Sequence, residues 1–79
     1  MRFKVEDRVT LSPKAMALYG AGPNQGAGRP GKVVFAGERP NDPSRPYLVL
    51  WESAPEGPPN SYREDDLLPV RFVFGTVNP

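Results

Sequence analysis

The most constraining stretch of this chain is Tyr47-Leu48-Val49-Leu50-Trp51, an uninterrupted apolar run between Arg45-Pro46 and Glu52-Ser53. Successive residues of a strand point to opposite faces. Tyr47, Val49 and Trp51 therefore share one parity, and Leu48 and Leu50 share the other. A strand that is apolar on both parities predicts cover on both faces. The run also holds the single tryptophan of the chain. We read it as the central strand of a small β-barrel, with the remaining segments built against it.

Length and composition limit what can surround such a strand. Seventy-nine residues make one domain, here taken as residues 1–79. A chain of this size buries about 60% of the surface its unfolded form exposes, which leaves a thin stability margin. There is no cysteine, so neither a disulfide nor a thiolate–metal site compensates. There is no histidine, which removes the commonest general base and the commonest metal ligand. No apolar run approaches the ~20 residues of a membrane span, and the N-terminal residues lack an apolar signal core. A cytoplasmic protein without cofactor, metal or membrane partner is the expectation. Lysine plus arginine number 10 against 9 aspartates and glutamates, a balance unlike that of a dedicated phosphate-backbone binder. The 11 prolines and 8 glycines cluster between strand-like runs, as turns in an all-β fold require.

Phe3, Val5, Val9 and Leu11 share a parity, with Asp7 as a turn residue, so residues 8–12 form the first strand. Ser12 and Pro13 set up a helical turn over residues 14–19, with Ser12 as N-cap, Pro13 at the first helical position and Gly20 at the end. Met16 and Tyr19, three apart, fall on the side facing the barrel. Residues 20–31 read as a flexible glycine-rich loop without an apolar anchor. Its glycines lack the Gly-Lys-Ser/Thr ending of a phosphate-binding loop. Residues 32–36 are the second strand, with Gly31 and Gly37 marking a bend or bulge. Turns over residues 38–45 and 53–60 make hairpins on either side of the central strand. Residues 61–63 are a short fourth strand. Residues 64–68 form a 3₁₀ turn, with acids where the backbone dipole favours them. Pro69 stops that turn, residues 70–74 are a last strand, and residues 75–79 are a tail.

This order of elements resembles the SH3-like barrel superfold, and most closely its KOW and Tudor-like relatives. The residues that carry the resemblance are Glu6-Asp7-Arg8-Val9, Gly31-Lys32-Val33-Val34, Tyr47-Leu48-Val49-Leu50-Trp51 and residues 62–68. Glu6 stands where the group often has glycine. The resemblance implies an all-β fold, an SH3-like partly open five- to six-stranded barrel with one short helical turn. A weaker resemblance is to the plasmid-type, trimethoprim-insensitive dihydrofolate reductases, which share the order of barrel elements and an Asp-Arg-Val near the first strand. Their pore-lining Val-Gln-Ile-Tyr strand corresponds to Pro59-Asn60-Ser61-Tyr62, where only Tyr62 matches and the ligand-holding glutamine is missing.

Glu64-Asp65-Asp66 is the densest carboxylate group. Adjacent turn residues point in different directions and do not form an acid/base pair across a substrate. The aromatic residues are the stronger lead. Tyr47 and Trp51 share a strand face, Tyr62 lies on the neighbouring short strand, and in SH3-like barrels these strands border the ligand-binding loops. Aromatic rings there stack on bases, hold cations or grip an extended peptide. The plainer reading puts Trp51 and Tyr47 in the core and leaves Tyr62 exposed. Lys32, Arg45 and Arg63, with Arg29 and Arg39, gather in or beside the same loops. Beside exposed aromatics they would suit nucleic acid; scattered among Glu38, Asp42, Glu52, Glu56 and Glu64 they serve solubility. Phe72, Val73 and Phe74 in the last strand offer either barrel closure or a contact with a second copy or a partner.

The expectation is a non-catalytic binding module that docks a protein partner, as adapter or inhibitor, through Tyr47, Trp51, Tyr62, Arg63, Lys32 and Arg45. Nucleic-acid binding through the same rim is the alternative, and an oligomeric reductase the remote one.

Overall fold

The structure is a computed structural model that describes residues 2–20 and 22–70. It contains β1 (Arg8–Leu11), α1 (Pro13–Tyr19), a 3₁₀ turn (Pro23–Gln25), β2 (Gly31–Ala36), β3 (Tyr47–Trp51), β4 (Asn60–Tyr62), a second 3₁₀ turn (Glu64–Asp66) and β5 (Leu67–Pro69). The strands form one five-stranded antiparallel sheet in the order β4-β3-β2-β1-β5. Among the described residues the sheet is open, with β4 and β5 at its edges.

Local chemistry explains most boundaries. The Ser12 hydroxyl accepts the Ala15 N–H at 3.1 Å, Pro13 opens α1, and the Gly20 N–H closes it on the Met16 carbonyl at 2.8 Å. Gly20 does this at a φ of 89°, which favours glycine. Val5 does not continue the parity of Phe3, because a tight turn intervenes. The Asp7 N–H donates to the Lys4 carbonyl, the Asp7 carboxylate accepts the Lys4 N–H, and Glu6 takes a φ of 83°. Phe3 enters the core and Val5 stays outside.

Tyr47, Val49 and Trp51 are buried, with Val9, Leu11, Val33, Tyr62 and Leu67 around them and Phe3 and Ala15 closing the ends. Each buried valine, leucine or phenylalanine among them contributes about 1.5–3 kcal/mol through burial. The opposite face of β3 departs from the expectation of two covered sides: Leu48 and Leu50 are only half-buried. Phe35 departs as well. Val33 pairs with Val49 but Phe35 pairs with Leu48, because the ladder shifts register between them. One extra residue in a strand flips the following side chains to the other face. Phe35 therefore stands outside, 40% exposed, beside Leu48.

The end of the chain also differs. Leu67 and Leu68, expected in the 3₁₀ turn, belong to β5, which pairs with β1 through Leu11↔Leu67, Thr10↔Leu68 and Val9↔Pro69. Pro69 is tolerated because β5 is an edge strand. Val70 follows as a turn residue, its N–H bonded to the Arg8 carbonyl at 3.1 Å. The expected strand over 70–74, with Phe72, Val73 and Phe74, lies beyond Val70 outside the described residues. Among the described residues no helix is long and apolar enough to cross a membrane.

Candidate functional site

The three aromatic residues expected at a binding rim are inside the protein. Trp51 is 2% exposed and Tyr62 1%. Their rings meet edge to face at 5.6 Å, and the indole Nε1–H donates to the Tyr62 hydroxyl at 3.0 Å. The Tyr62 hydroxyl in turn donates to the Gln25 side-chain carbonyl. Tyr19 packs edge to face on Tyr62 at 5.7 Å, and its hydroxyl donates to Asp66 Oδ2 at 2.9 Å. Tyr47 packs on Phe3 at 5.5 Å. Its hydroxyl accepts the backbone N–H groups of Arg2 and Phe3 at 3.0 and 3.1 Å and donates to Glu64 Oε1 at 3.3 Å. A buried polar tip is costly without a partner, so each phenol and the indole carry a hydrogen bond inward. Tyr62, expected outside, is thereby corrected: its partner Gln25 arrives from a loop far away in sequence.

Burial raises the Tyr19 phenol above its ordinary pKa of 10.0, and the Asp66 carboxylate that accepts its proton adds to the rise. Burial likewise raises Tyr62, against an opposing hydrogen bond from Trp51. Both phenols are protonated at neutral pH. The three neighbouring acids diverge. Glu64 meets Tyr47, Asp65 is exposed, and Asp66 is buried, taking Tyr19 and the Arg63 N–H at 3.0 Å.

Three of the five expected cations, Lys32, Arg45 and Arg29, have acidic partners. Lys32 lies 3.5 Å from Glu6. Arg45 is half-buried and pairs with Asp42 at 3.4 Å. Arg29 and Arg8 both reach Glu52. Arg39 donates to the Arg45 carbonyl at 3.1 Å. Arg63 is exposed and makes no ion pair among the described residues. Exposed ion pairs of this kind contribute about 0–1 kcal/mol each.

What the surface offers instead is an apolar stripe along the outer side of β2 and β3. Phe35, Leu48, Pro40 and Asn41, with Glu38 and Arg39, line a shallow hollow of about 240 Å³. Leu50, Pro55 and an edge of Trp51 line a second hollow of about 280 Å³, rimmed by Arg8, Lys32 and Glu52. Leu48 and Leu50 are one two-residue step apart on the same side of β3, roughly 7 Å, Leu48 in the first hollow and Leu50 in the second. Sequence reasoning put a bend or bulge at Gly31 and Gly37, whereas the register shifts between Val33 and Phe35, so Phe35 was missed; Leu48 and Leu50 were visible, but as covered residues. A larger hollow of about 340 Å³ between Arg2, Asp7, Arg8 and Val70 borders the end of the described chain.

The glycine-rich loop also differs from its reading. Gly26 lies on the Trp51 ring: a Cβ there would be 3.0 Å from Cε3, and its φ of 95° favours glycine. A Cβ on Gly31 would come within 2.5 Å of the same ring atom. The loop does have an apolar anchor, the indole, met by backbone rather than by side chains. Comparison with protein-family models, curated proteins and solved structures finds no match to this chain.

Proposed function

We propose that the chain is a small, non-catalytic binding module of the SH3-like kind that docks a protein partner on the outer face of β2 and β3. Support for the class comes from the order of elements along the chain, four strands and then a 3₁₀ turn leading into β5, which follows the order on which the resemblance rests, and from their assembly into one antiparallel sheet. The observation that carries the docking reading is the stripe of Phe35, Leu48 and Leu50. A bulge turns Phe35 outward beside two half-buried leucines. Contiguous exposed apolar surface with a polar rim marks interaction sites. The glutamates and arginines at both hollows provide that rim.

Nucleic acid draws less support. The rings of Tyr47 and Tyr62 are turned inward, and Lys32 and Arg45 have acidic neighbours. The reductase reading draws none, since Tyr62 is bonded to Trp51 and Gln25 in the core. A homo-oligomeric contact through Phe72, Val73 and Phe74 lies outside the described residues.

The test is capture of a partner from native extract by the intact chain, with and without nuclease, followed by titration of that partner. Binding should survive nuclease and change little between about 50 and 200 mM salt, where phosphate-backbone binding falls steeply. Phe35→Asp should weaken it at least tenfold while leaving the unfolding midpoint nearly unchanged. Nuclease-sensitive capture, or a Phe35→Asp protein that binds normally, refutes the docking reading.

A further inference from the structure

We propose that residues 22–30 are a strap that opens and closes over the Trp51–Tyr62 pair while the sheet beneath stays folded. This inference does not depend on the partner reading.

The strap holds its own shape. The Gln25 and Ala27 N–H groups donate to the Gly22 carbonyl at 2.9 and 3.0 Å, and the Arg29 N–H donates to the Gly26 carbonyl at 2.7 Å. It can therefore move as one piece. Its attachments to the sheet are of another kind. Tyr62 donates to the Gln25 carboxamide, Asn60 donates to the Asn24 carbonyl, the Glu52 N–H donates to the Pro30 carbonyl at 3.1 Å, and Arg29 reaches Glu52 at 3.4 Å. The Asn60 and Arg29 contacts are exposed. The strap places the Gly26 backbone on the indole; Ala27 and Arg29 are exposed, and Pro30 is half-buried.

The ladder below is built differently, with Val33 and Val49 paired across β2 and β3 and both fully buried. Segments held by few apolar contacts and by exposed hydrogen bonds open at a small fraction of the global unfolding free energy. Opening bares the Trp51 indole and frees the Tyr62 hydroxyl from its acceptor. The aromatic surface that the sequence suggests at the ligand-bordering strands is then present, but only in the open state.

The test is hydrogen exchange on the full chain, followed by NMR at increasing urea. The Trp51 indole N–H and the Glu52 amide should exchange at least tenfold faster than the Val33 amide. Their exchange should depend only weakly on urea, because local opening exposes little surface. Equal rates and equal urea slopes for all three protons would mean that the strap opens only when the protein unfolds, and would overturn the proposal. A second arm uses Gly26→Val, whose side chain blocks closure. Acrylamide quenching of the single tryptophan should rise several-fold while the cooperative unfolding transition remains. Unchanged quenching in a folded G26V protein also overturns it; if that variant does not fold, the exchange rates of the unaltered protein decide alone.

Discussion

On the inner side of β3, Tyr47, Val49 and Trp51 are sealed among Phe3, Val33 and Tyr62; on the outer side, Leu48 and Leu50 keep part of their surface in water beside Phe35. Both sides carry large apolar side chains, and the outer leucines are no less hydrophobic than the inner tyrosine and tryptophan. What separates them is the second layer. α1, the N-terminal segment and the strap all fall on the inner side, bringing Ala15, Phe3, Gln25 and Gly26. The outer side is left to the polar hairpin loops. Apolar character states that a residue can be buried; it does not state that the chain has enough elements to bury it.

That contrast can be broken most sharply at its centre. Trp51→Ala should destabilise the fold by about 3–5 kcal/mol, read from urea unfolding of the variant. In a chain of this size, much of the native population would be lost. A loss below about 1 kcal/mol would mean that the inner side is not the core.

Next is Tyr62→Phe, which keeps the ring but removes the acceptor of the Trp51 indole N–H and the donor to Gln25. Leaving the buried indole N–H without its acceptor should cost about 1–3 kcal/mol, measured as a lower urea midpoint at constant slope.

A smaller effect separates the two sides by pH. Tyr62 and Tyr19 have phenols raised above 10.0 in the folded protein, burial being the first cause in each. The folded state therefore holds these protons more tightly than the unfolded state. The associated stability is fully present below about pH 10 and is lost as pH rises through the raised folded values. Unfolding followed between neutral and strongly alkaline pH should show this decline, and Tyr62→Phe should make it shallower.

The smallest expected effect is on the outer side. Phe35→Ser should change stability by no more than about 0.5 kcal/mol. A larger loss by thermal or urea unfolding would show that the stripe contributes to the fold as the inner side does.

Much of the architecture was legible because it is written in local chemistry. Ser12-Pro13 before α1 and Gly20 after it state a helix start and stop through capping alone. Tyr47-Leu48-Val49-Leu50-Trp51 states a strand, and the acids of Glu64–Asp66 state a 3₁₀ turn. The candidate site was hardly legible. Nothing in residues 32–36 shows that Phe35 stands outside until the register shift is known, and Tyr62, between Ser61 and Arg63, reads as exposed until Gln25 is seen to reach it. Lys32 and Arg45 read as a shared basic rim until Glu6 and Asp42 are seen beside them.

The sequence by itself determined the first four strands, α1 and which residues are apolar enough for a core, because periodicity, caps and turn residues act over a few positions; it did not mark Leu67–Pro69 as a strand. Only the tertiary structure decided which side of β3 is sealed, which tyrosine hydroxyls meet partners and what lies against the indole. Those outcomes depend on contacts between residues far apart in the chain. A single-residue shift in a ladder, or a glycine backbone laid on a ring, leaves no periodic trace in the order of amino acids.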